Sequence, residues 1–270
     1  MIFRENENAH HTKGKSILLS LAASARPPTD KKREIALSCR QISSKTAMKT
    51  HHTFSFPPVE RADRRGLLAI GGKLSPAQVW LAHQSGVFPW YGADSPILWW
   101  APNPRGVIFC QDLHISRSLD KAMRRMPYQI GFDRTFAHTM DYCAKVHGES
   151  WIDEQMRSCY IVLHEQGLAH SCELWHEDTL LGGLYGVCLD RVFCGESMFS
   201  LVPNASKIVL ARLCAFLAAQ GIEVLDTQFL TPHLQSMGGV EIPRQEYMRY
   251  LGGNPERLRG DWANLYILAQ

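Results

Sequence analysis

Apolar positions recur along this chain at two periods, and the change from one to the other marks out its elements. From Ser150 onward, Ile152, Met156, Cys159, Tyr160 and Leu163 follow the spacing i, i+4, i+7, i+8, i+11, which predicts a helix with one apolar stripe closed by Gly167. The period then becomes two. Ala169 to Trp175, Leu180 to Leu189 and Val192 to Phe199 read as strands, and the short polar turns Glu177-Asp178 and Asp190-Arg191 make them an antiparallel meander. Asn204 is the predicted cap of a helix from Ala205 to Gln220, stopped by Gly221, and Ile222 to Gln228 is the next strand. Strand, helix, strand at this spacing is a crossover, so the last strand should run parallel to its partner. The predicted class is α+β, with helices on a mixed sheet.

Upstream, Ser75-Pro76-Ala77-Gln78 reads as a helix start with a serine cap and proline at the first helical position, and Gly86 as its end. Val87-Phe88-Pro89-Trp90-Tyr91 and Trp99-Trp100-Ala101-Pro102 follow. Their prolines argue against a central strand, so these aromatics are expected on an irregular surface. That surface serves either domain packing or the stacking of a flat ligand such as a nucleobase. His114 to Arg125 reads as a helix whose Arg117, Lys121, Arg124 and Arg125 share one face, either a solvated face or a phosphate-binding one. A further helix is expected after Asp133.

Residues Met1 to about Thr50 show no sustained apolar period. The run Ile17 to Ala23 is short, and Glu5 and Glu7 suit a signal peptide poorly. The expectation is a disordered extension, or translated sequence upstream of a true start at Met48. The predicted division is an extension over 1–50, a small N-terminal domain over 51–105 and a catalytic domain over 106–270.

Composition narrows the classes. The chain has 270 residues, 45% hydrophobic and 20% charged, which excludes disorder over most of its length. Its net charge of +3 points to no nucleic-acid partner without a local basic cluster. No stretch reaches the ~18 apolar residues of a membrane span, so a soluble protein is expected. The eight cysteines form no C-x-x-C pair and are expected to be reduced, buried fillers, with catalysis by Cys194 as the alternative.

Three clusters carry candidate chemistry. In Cys194-Gly195-Glu196-Ser197-Met198-Phe199, a hydrolase elbow would need glycine where Phe199 stands, so that reading fails. Strict alternation puts Cys194, Glu196 and Met198 on one face, with Gly195 and Ser197 on the other. A carboxylate in an apolar strand is costly unless paired or used, so Glu196 is either a structural partner or a site residue. Asp226 and Gln228 share a face at the carboxyl end of the last strand, where open sheets place ligands. An aspartate beside a side-chain amide suits orienting an amine and accepting its proton; the plainer role is a cap before Thr231-Pro232. Leu184, Phe193, Met198, Leu210, Leu213 and Leu225 either fill the core or line a pocket beside the carboxylates. No Gly-rich phosphate loop is evident, so neither ATP nor acetyl-CoA is indicated.

The order of motifs carries a resemblance. It runs through Gly66-Leu67-Leu68-Ala69-Ile70-Gly71-Gly72, Gly86 to Tyr91, Pro96-Ile97-Leu98-Trp99-Trp100, His114 to Leu119, Ser150-Trp151-Ile152 and Leu181 to Gly186. It continues through Gly195-Glu196-Ser197-Met198-Phe199-Ser200, Ala205-Ser206-Lys207, Asp226-x-Gln228 and Thr231-x-His233-Leu234. From about Phe56 to Leu251 the chain resembles the leucyl/phenylalanyl-tRNA–protein transferase family. That resemblance implies a small N-terminal domain on a GNAT-like acyltransferase domain, with no cofactor, no metal and no acyl-CoA. It implies transfer of Leu or Phe, and Met less well, from charged tRNA to the α-amine of proteins beginning with Arg or Lys, marking them for degradation. A cytoplasmic monomer away from membranes is expected.

Residue by residue, the resemblance assigns Trp90, Trp151 and Tyr160 to the terminal adenosine and Asp226, Gln228 and Glu196 to the reacting groups. Leu184, Phe193, Gly195, Met198, Leu210, Leu213 and Leu225 would form the aminoacyl pocket, while Arg117, Lys121, Arg124 and Arg125 would meet tRNA phosphates. The chain departs from the family pattern at Lys73, where an acid is usual, and at His83, often a tyrosine. The rival classes are an acyl-CoA-dependent N-acetyltransferase and a non-catalytic RNA-binding module.

Overall fold

The serine, proline and glutamine of Ser75-Pro76-Ala77-Gln78 act as read: the Ser75 hydroxyl accepts the Gln78 N–H and opens helix α1, Pro76–Gln84. In this computed structural model the described residues are 55–92, 95–146, 152–252 and 266–268. The expectations for residues 1–50 and for Trp151 lie outside them. Around α1 lies a three-stranded antiparallel sheet, β1 Leu67–Ile70, β2 Phe88–Pro89 and β3 Leu98–Trp100, in the order β1-β3-β2. This corrects the expected irregular aromatic surface. Trp99 and Trp100 sit on the central strand, while Pro89 ends an edge strand and Pro102 follows β3, positions where no ladder bond is lost.

The second sheet has eight strands in the order β10-β4-β9-β8-β7-β6-β5-β11. Its strands are β4 Arg105–Phe109, β5 Gln129–Phe132, β6 Ala169–His176, β7 Thr179–Cys188, β8 Val192–Ser200, β9 Val224–Gln228, β10 Val240–Ile242 and β11 Tyr266–Leu268. The meander β6-β7-β8 is antiparallel, and β8 and β9 run parallel as the crossover required. The flanking helices are α2 Arg117–Arg125, α3 Phe136–Val146, α4 Glu154–Glu165, α5 Ala205–Ala219, α6 Pro232–Ser236 and α7 Arg244–Tyr250. Helix α4 starts four residues later than Ser150 because Asp153, not Ser150, accepts the Met156 N–H as its cap. Asn204 precedes α5 in the left-handed region without donating or accepting a side-chain cap bond.

Helices cover both faces of the large sheet. A β-carbon built on Gly182 would meet Ala205 of α5, and one on the adjacent Gly183 would meet Thr139 of α3. Adjacent strand residues point to opposite faces, so α5 lies on one side and α3 on the other. Seven described cysteines are free and buried. No described helix is long and apolar enough to cross a membrane.

Candidate active site

Two β-bulges set the geometry of the strands that carry the candidate residues. Between β7 and β8, Tyr185 pairs with Ser197 but Gly186 pairs with Gly195, so Glu196 is an extra residue without a partner in the ladder. Between β4 and β9, Val107 pairs with Asp226 but Gly106 with Gln228, leaving Thr227 extra. Strict alternation therefore fails at both places. Met198 pairs with Leu184 on the α5 side, whereas Ser197 shares the face of Tyr185, reversing the expected grouping. Each bulge sits opposite a glycine. A β-carbon on Gly186 would lie 2.2 Å from the Cys194 carbonyl, and one on Gly106 would lie 2.7 Å from the Leu230 nitrogen.

At the β9 bulge, Asp226 is fully buried and its carboxylate is saturated. Arg105 donates from Nε to Oδ1 at 2.8 Å and from Nη2 to Oδ2 at 2.7 Å. The Tyr247 hydroxyl donates to Oδ2 at 2.8 Å, and the Gln228 N–H donates to Oδ1 at 2.9 Å. A carboxylate has about four acceptor positions, and all are taken. Burial alone would raise the Asp226 carboxyl, but the Arg105 charge, with these hydrogen bonds, holds it below the usual carboxylate range. The expectation that Asp226 takes a substrate proton therefore meets a correction: its lone pairs already hold four protein donors, and its basicity is depressed.

Gln228 stands differently. Its φ is +60°, in the left-handed region, which a non-glycine residue holds only when its surroundings impose it. The backbone ladder of β8 and β9 ends at Cys194 and Asp226, and beyond it the Gln228 Nε2 donates to the Gly195 carbonyl at 2.9 Å. The amide thus replaces the missing backbone pairing. Gln228 Oε1 is buried and has no hydrogen-bond partner among the described residues, and the same holds for Tyr185 Oη. Buried acceptors are rarely left so, and here one is held rigid by its own amide nitrogen.

Glu196, thrown out of the ladder by its bulge, is buried beside His83 of α1 and Tyr160 of α4. His83 Nε2 lies 3.3 Å from Glu196 Oε1 and 3.3 Å from Tyr160 Oη. Desolvation pushes Glu196 up to about 8 and His83 down to about 4, so near neutrality both are mainly uncharged. Burial likewise raises the Tyr160 hydroxyl. Tyr160 is wholly buried with its ring edge on Tyr185, so it presents no open face for an adenine. Trp90 is half-buried, with its ring 5.7 Å from that of Trp100 and 5.9 Å from that of Phe229.

The six apolar candidates occupy the other side of the sheet. Cys172, which pairs with Leu184, reaches the Val209 carbonyl of α5, and Met198 pairs with Leu184. Phe193 pairs with Leu225, one position before Cys194 and Asp226. With Leu210 and Leu213 these side chains are no more than 1% exposed. The structure thus brings Glu196 and Asp226 together on one face, with the Gln228 backbone N–H donated to Asp226, and layers the apolar set on the other. On α2, Arg117, Lys121, Arg124 and Arg125 are exposed, and Arg124 pairs with Asp120.

Arg105 and Tyr247 are the members that sequence reading missed. One signal was present: an arginine opening the apolar run Gly106 to Phe109 has to be paired if that run is buried. For Tyr247, on a seven-residue helix, there was none.

Two family models match the chain. Residues 107–252 match the leucyl/phenylalanyl-tRNA protein transferase model, and residues 72–103 match the N-terminal domain of the same proteins. A curated leucyl/phenylalanyl-tRNA–protein transferase of Shigella sonnei is 45% identical over 205 residues, covering 75% of this chain and 88% of the relative. The Nitrosomonas eutropha protein of that name is 48% identical over 202 residues, covering 73% and 86%. Among solved structures, L-PGS from Bacillus licheniformis aligns with a TM-score of 0.33 and 14% identity over 59% of this chain and 55% of that one, too slight a likeness to carry an argument. By matched length and identity together, this chain belongs to the leucyl/phenylalanyl-tRNA–protein transferase family.

Proposed function

We propose that this chain transfers leucine or phenylalanine from charged tRNA to the N-terminal α-amine of acceptor proteins that begin with Arg or Lys, marking them for degradation. The observation that carries the reading is the Gln228 amide, pinned through Nε2 at the end of a parallel strand pair with its buried oxygen left open. The donor ester is already activated, so the chemistry needs no nucleotide hydrolysis. The acceptor amine, with a reference pKa of about 7.7–8.0, is substantially nucleophilic near neutrality. Its nitrogen attacks the ester carbonyl carbon; the new C–N bond forms, the bond to the ribose oxygen breaks, and the amine proton passes to that oxygen.

In this reading Gln228 Oε1 accepts an N–H of the amine and aims its lone pair at the carbonyl. Asp226, Arg105 and Tyr247 are the anchor that keeps Gln228 in its left-handed conformation. Glu196 orients a substrate amine from the neighbouring strand. The transferred side chain enters beyond the last β8–β9 pair, toward Phe193, Met198 and Leu225, with Gly195 at the rim and Leu184, Leu210 and Leu213 below. Trp90 and Trp151 flank the terminal adenosine near Tyr160, and the α2 cations meet tRNA phosphates. The division into a small domain over 51–105 and a GNAT-like domain over 106–270, a cytoplasmic setting and a monomeric state belong to the same reading.

Incubation with Leu-tRNA or Phe-tRNA and a peptide beginning with Arg, read by mass spectrometry, tests it. A mass gain of one leucine or phenylalanine on the peptide α-amine is expected. Acetylation from labelled acetyl-CoA, or tRNA binding with no transfer, overturns it in favour of an N-acetyltransferase or an RNA-binding module.

A further inference from the structure

His83 has no place in the reaction just described, yet it is buried against the site. Its ring is 1% exposed, its Nε2 is 3.3 Å from Glu196 Oε1, and its Nδ1 is buried with no hydrogen-bond partner among the described residues. It reaches this position because α1 packs on α4, whose Tyr160 hydroxyl lies 3.3 Å from the same nitrogen. A histidine in a dry site, in contact with a carboxyl group that a bulge has expelled from its ladder, is an arrangement for holding a proton.

Resting on the reading above, we propose that His83 is a positioning residue that holds Glu196 in the site by sharing one proton with it, and that this proton leaves when a substrate ammonium group enters. The groups facing the pair are Tyr160 from α4, Tyr185 from β7, Cys194 from β8, Asp226 from β9 and Arg105 from β4, with Tyr247 from α7 behind them on Asp226. The tyrosine hydroxyls and the Cys194 thiol are raised by burial and stay protonated. Asp226 and Arg105 neutralise each other. The His83–Glu196 pair is therefore the part of this face whose charge changes between acid and alkaline solution. Between about 4 and about 8 it holds one proton and no net charge. A cation brought alongside favours the carboxylate, so an arriving ammonium expels the proton and gains a counter-ion at the moment it binds. Tyr160 keeps the carboxyl group oriented in both states.

Two measurements test this. NMR of the substrate-free protein, with labelled carboxyl and imidazole groups, follows the pair from pH 6 to 9.5. The Glu196 carboxyl and the His83 ring nitrogens are expected to shift together near pH 8, and in Glu196→Gln the imidazole should stay flat. An imidazole that ignores the carboxyl titration, or a Glu196 already ionised at pH 6, overturns the proposal. Calorimetry in buffers of different ionisation enthalpy then counts protons when a phenylalanyl-adenosine amide binds. Release of most of one proton is expected at pH 7, and uptake of close to one at pH 9.5, where Glu196 is already ionised and the free ligand amine is neutral. An equal release by Glu196→Gln traces the proton to the ligand and overturns the idea. His83→Leu should raise KM for charged tRNA about tenfold or more with a smaller change in kcat, and His83→Gln, which keeps a hydrogen-bonding group, should recover most of that loss. Equal defects in both variants reduce His83 to packing. Absence of any aminoacyl transfer by the wild-type protein removes the functional reading instead, and leaves the substrate-free titration to decide the proton pair.

Discussion

Arg105 and Asp226, 121 residues apart, meet as a two-point ion pair, 2.8 and 2.7 Å long, with 1% and 0% of the side chains exposed. Arg105 also donates to the Gly86 carbonyl at 3.1 Å, and its guanidinium lies over the rings of Phe88 and Tyr247. The pair therefore joins the residues after α1, the adjacent strands β4 and β9, and α7. Removing either partner leaves the other charged and dry.

The first expectation follows directly. Asp226→Asn, though nearly isosteric, strands a buried guanidinium and should cost about 3–5 kcal/mol of stability. Urea unfolding measures this. The double variant Arg105→Met with Asp226→Leu should be more stable than either single change, and a double variant weaker than both would contradict the pairing argument. The sign of the acid response is fixed too. Because the native Asp226 carboxyl is depressed, its contribution is complete above the ordinary carboxylate range and is lost as pH falls through the lower native value.

Gln228 separates stability from chemistry. Gln228→Gly relaxes a left-handed backbone position but gives up the amide bond to the Gly195 carbonyl, so the two effects partly offset and the melting temperature should fall only modestly. Aminoacyl transfer should nonetheless slow by about a hundredfold or more, since the oriented amide is gone. Single-turnover transfer at saturating peptide decides it, and near-normal rates would falsify the orienting role.

Glu196 gives an alkaline counterpart to the acid response of Asp226. Its carboxyl is raised to about 8 by burial, so its contribution is full below the unfolded carboxylate value of about 4.3 and falls away as pH climbs to about 8. Glu196→Gln should therefore gain on the wild type between pH 5 and pH 9, by on the order of a few kcal/mol. His83, depressed to about 4, acts in the opposite sense: its contribution is present above about 6.5 and is lost on acidification. Chemical denaturation at four or five pH values reads both trends.

On α2, changing Arg117 and Lys121 to Gln should weaken tRNA binding and lower the salt slope by about 0.7–0.9 for each phosphate left unneutralised. An unchanged slope makes the helix a solvated face. Arg124, already paired with Asp120, should matter less than Arg125.

Much of this architecture could be read from local pattern. The meander, the crossover and the start of α1 depend on nearest neighbours: a turn between two alternating runs, or a serine three residues from the N–H it accepts. What the pattern hid is non-local. A bulge exists only relative to a partner strand, so alternation assigned Met198 to the Glu196 face, where the register with Leu184 forbids it. The Asp226 partners come from Arg105 and from Tyr247, 21 residues on. A carboxylate that looked free in the sequence is saturated in the fold. The pocket residues were picked as apolar, which cannot distinguish the two faces of a sheet whose cores are both apolar.

The bulges at Glu196 and Thr227 amount to a count: each strand is one residue longer than its ladder requires. Deleting either residue would let the pairing close with perfect regularity, opposite glycines that already leave room. Such a deletion would give a more ordinary sheet and remove what the extra residue supplies, the inward carboxyl of Glu196 in one strand and the turned backbone of Gln228 in the other. Along these two strands, point substitutions and single-residue deletions should therefore part company. Substitutions such as Gln228→Ala remove one group and keep the bulge, whereas a deletion keeps the pairing on either side and removes the bulge itself.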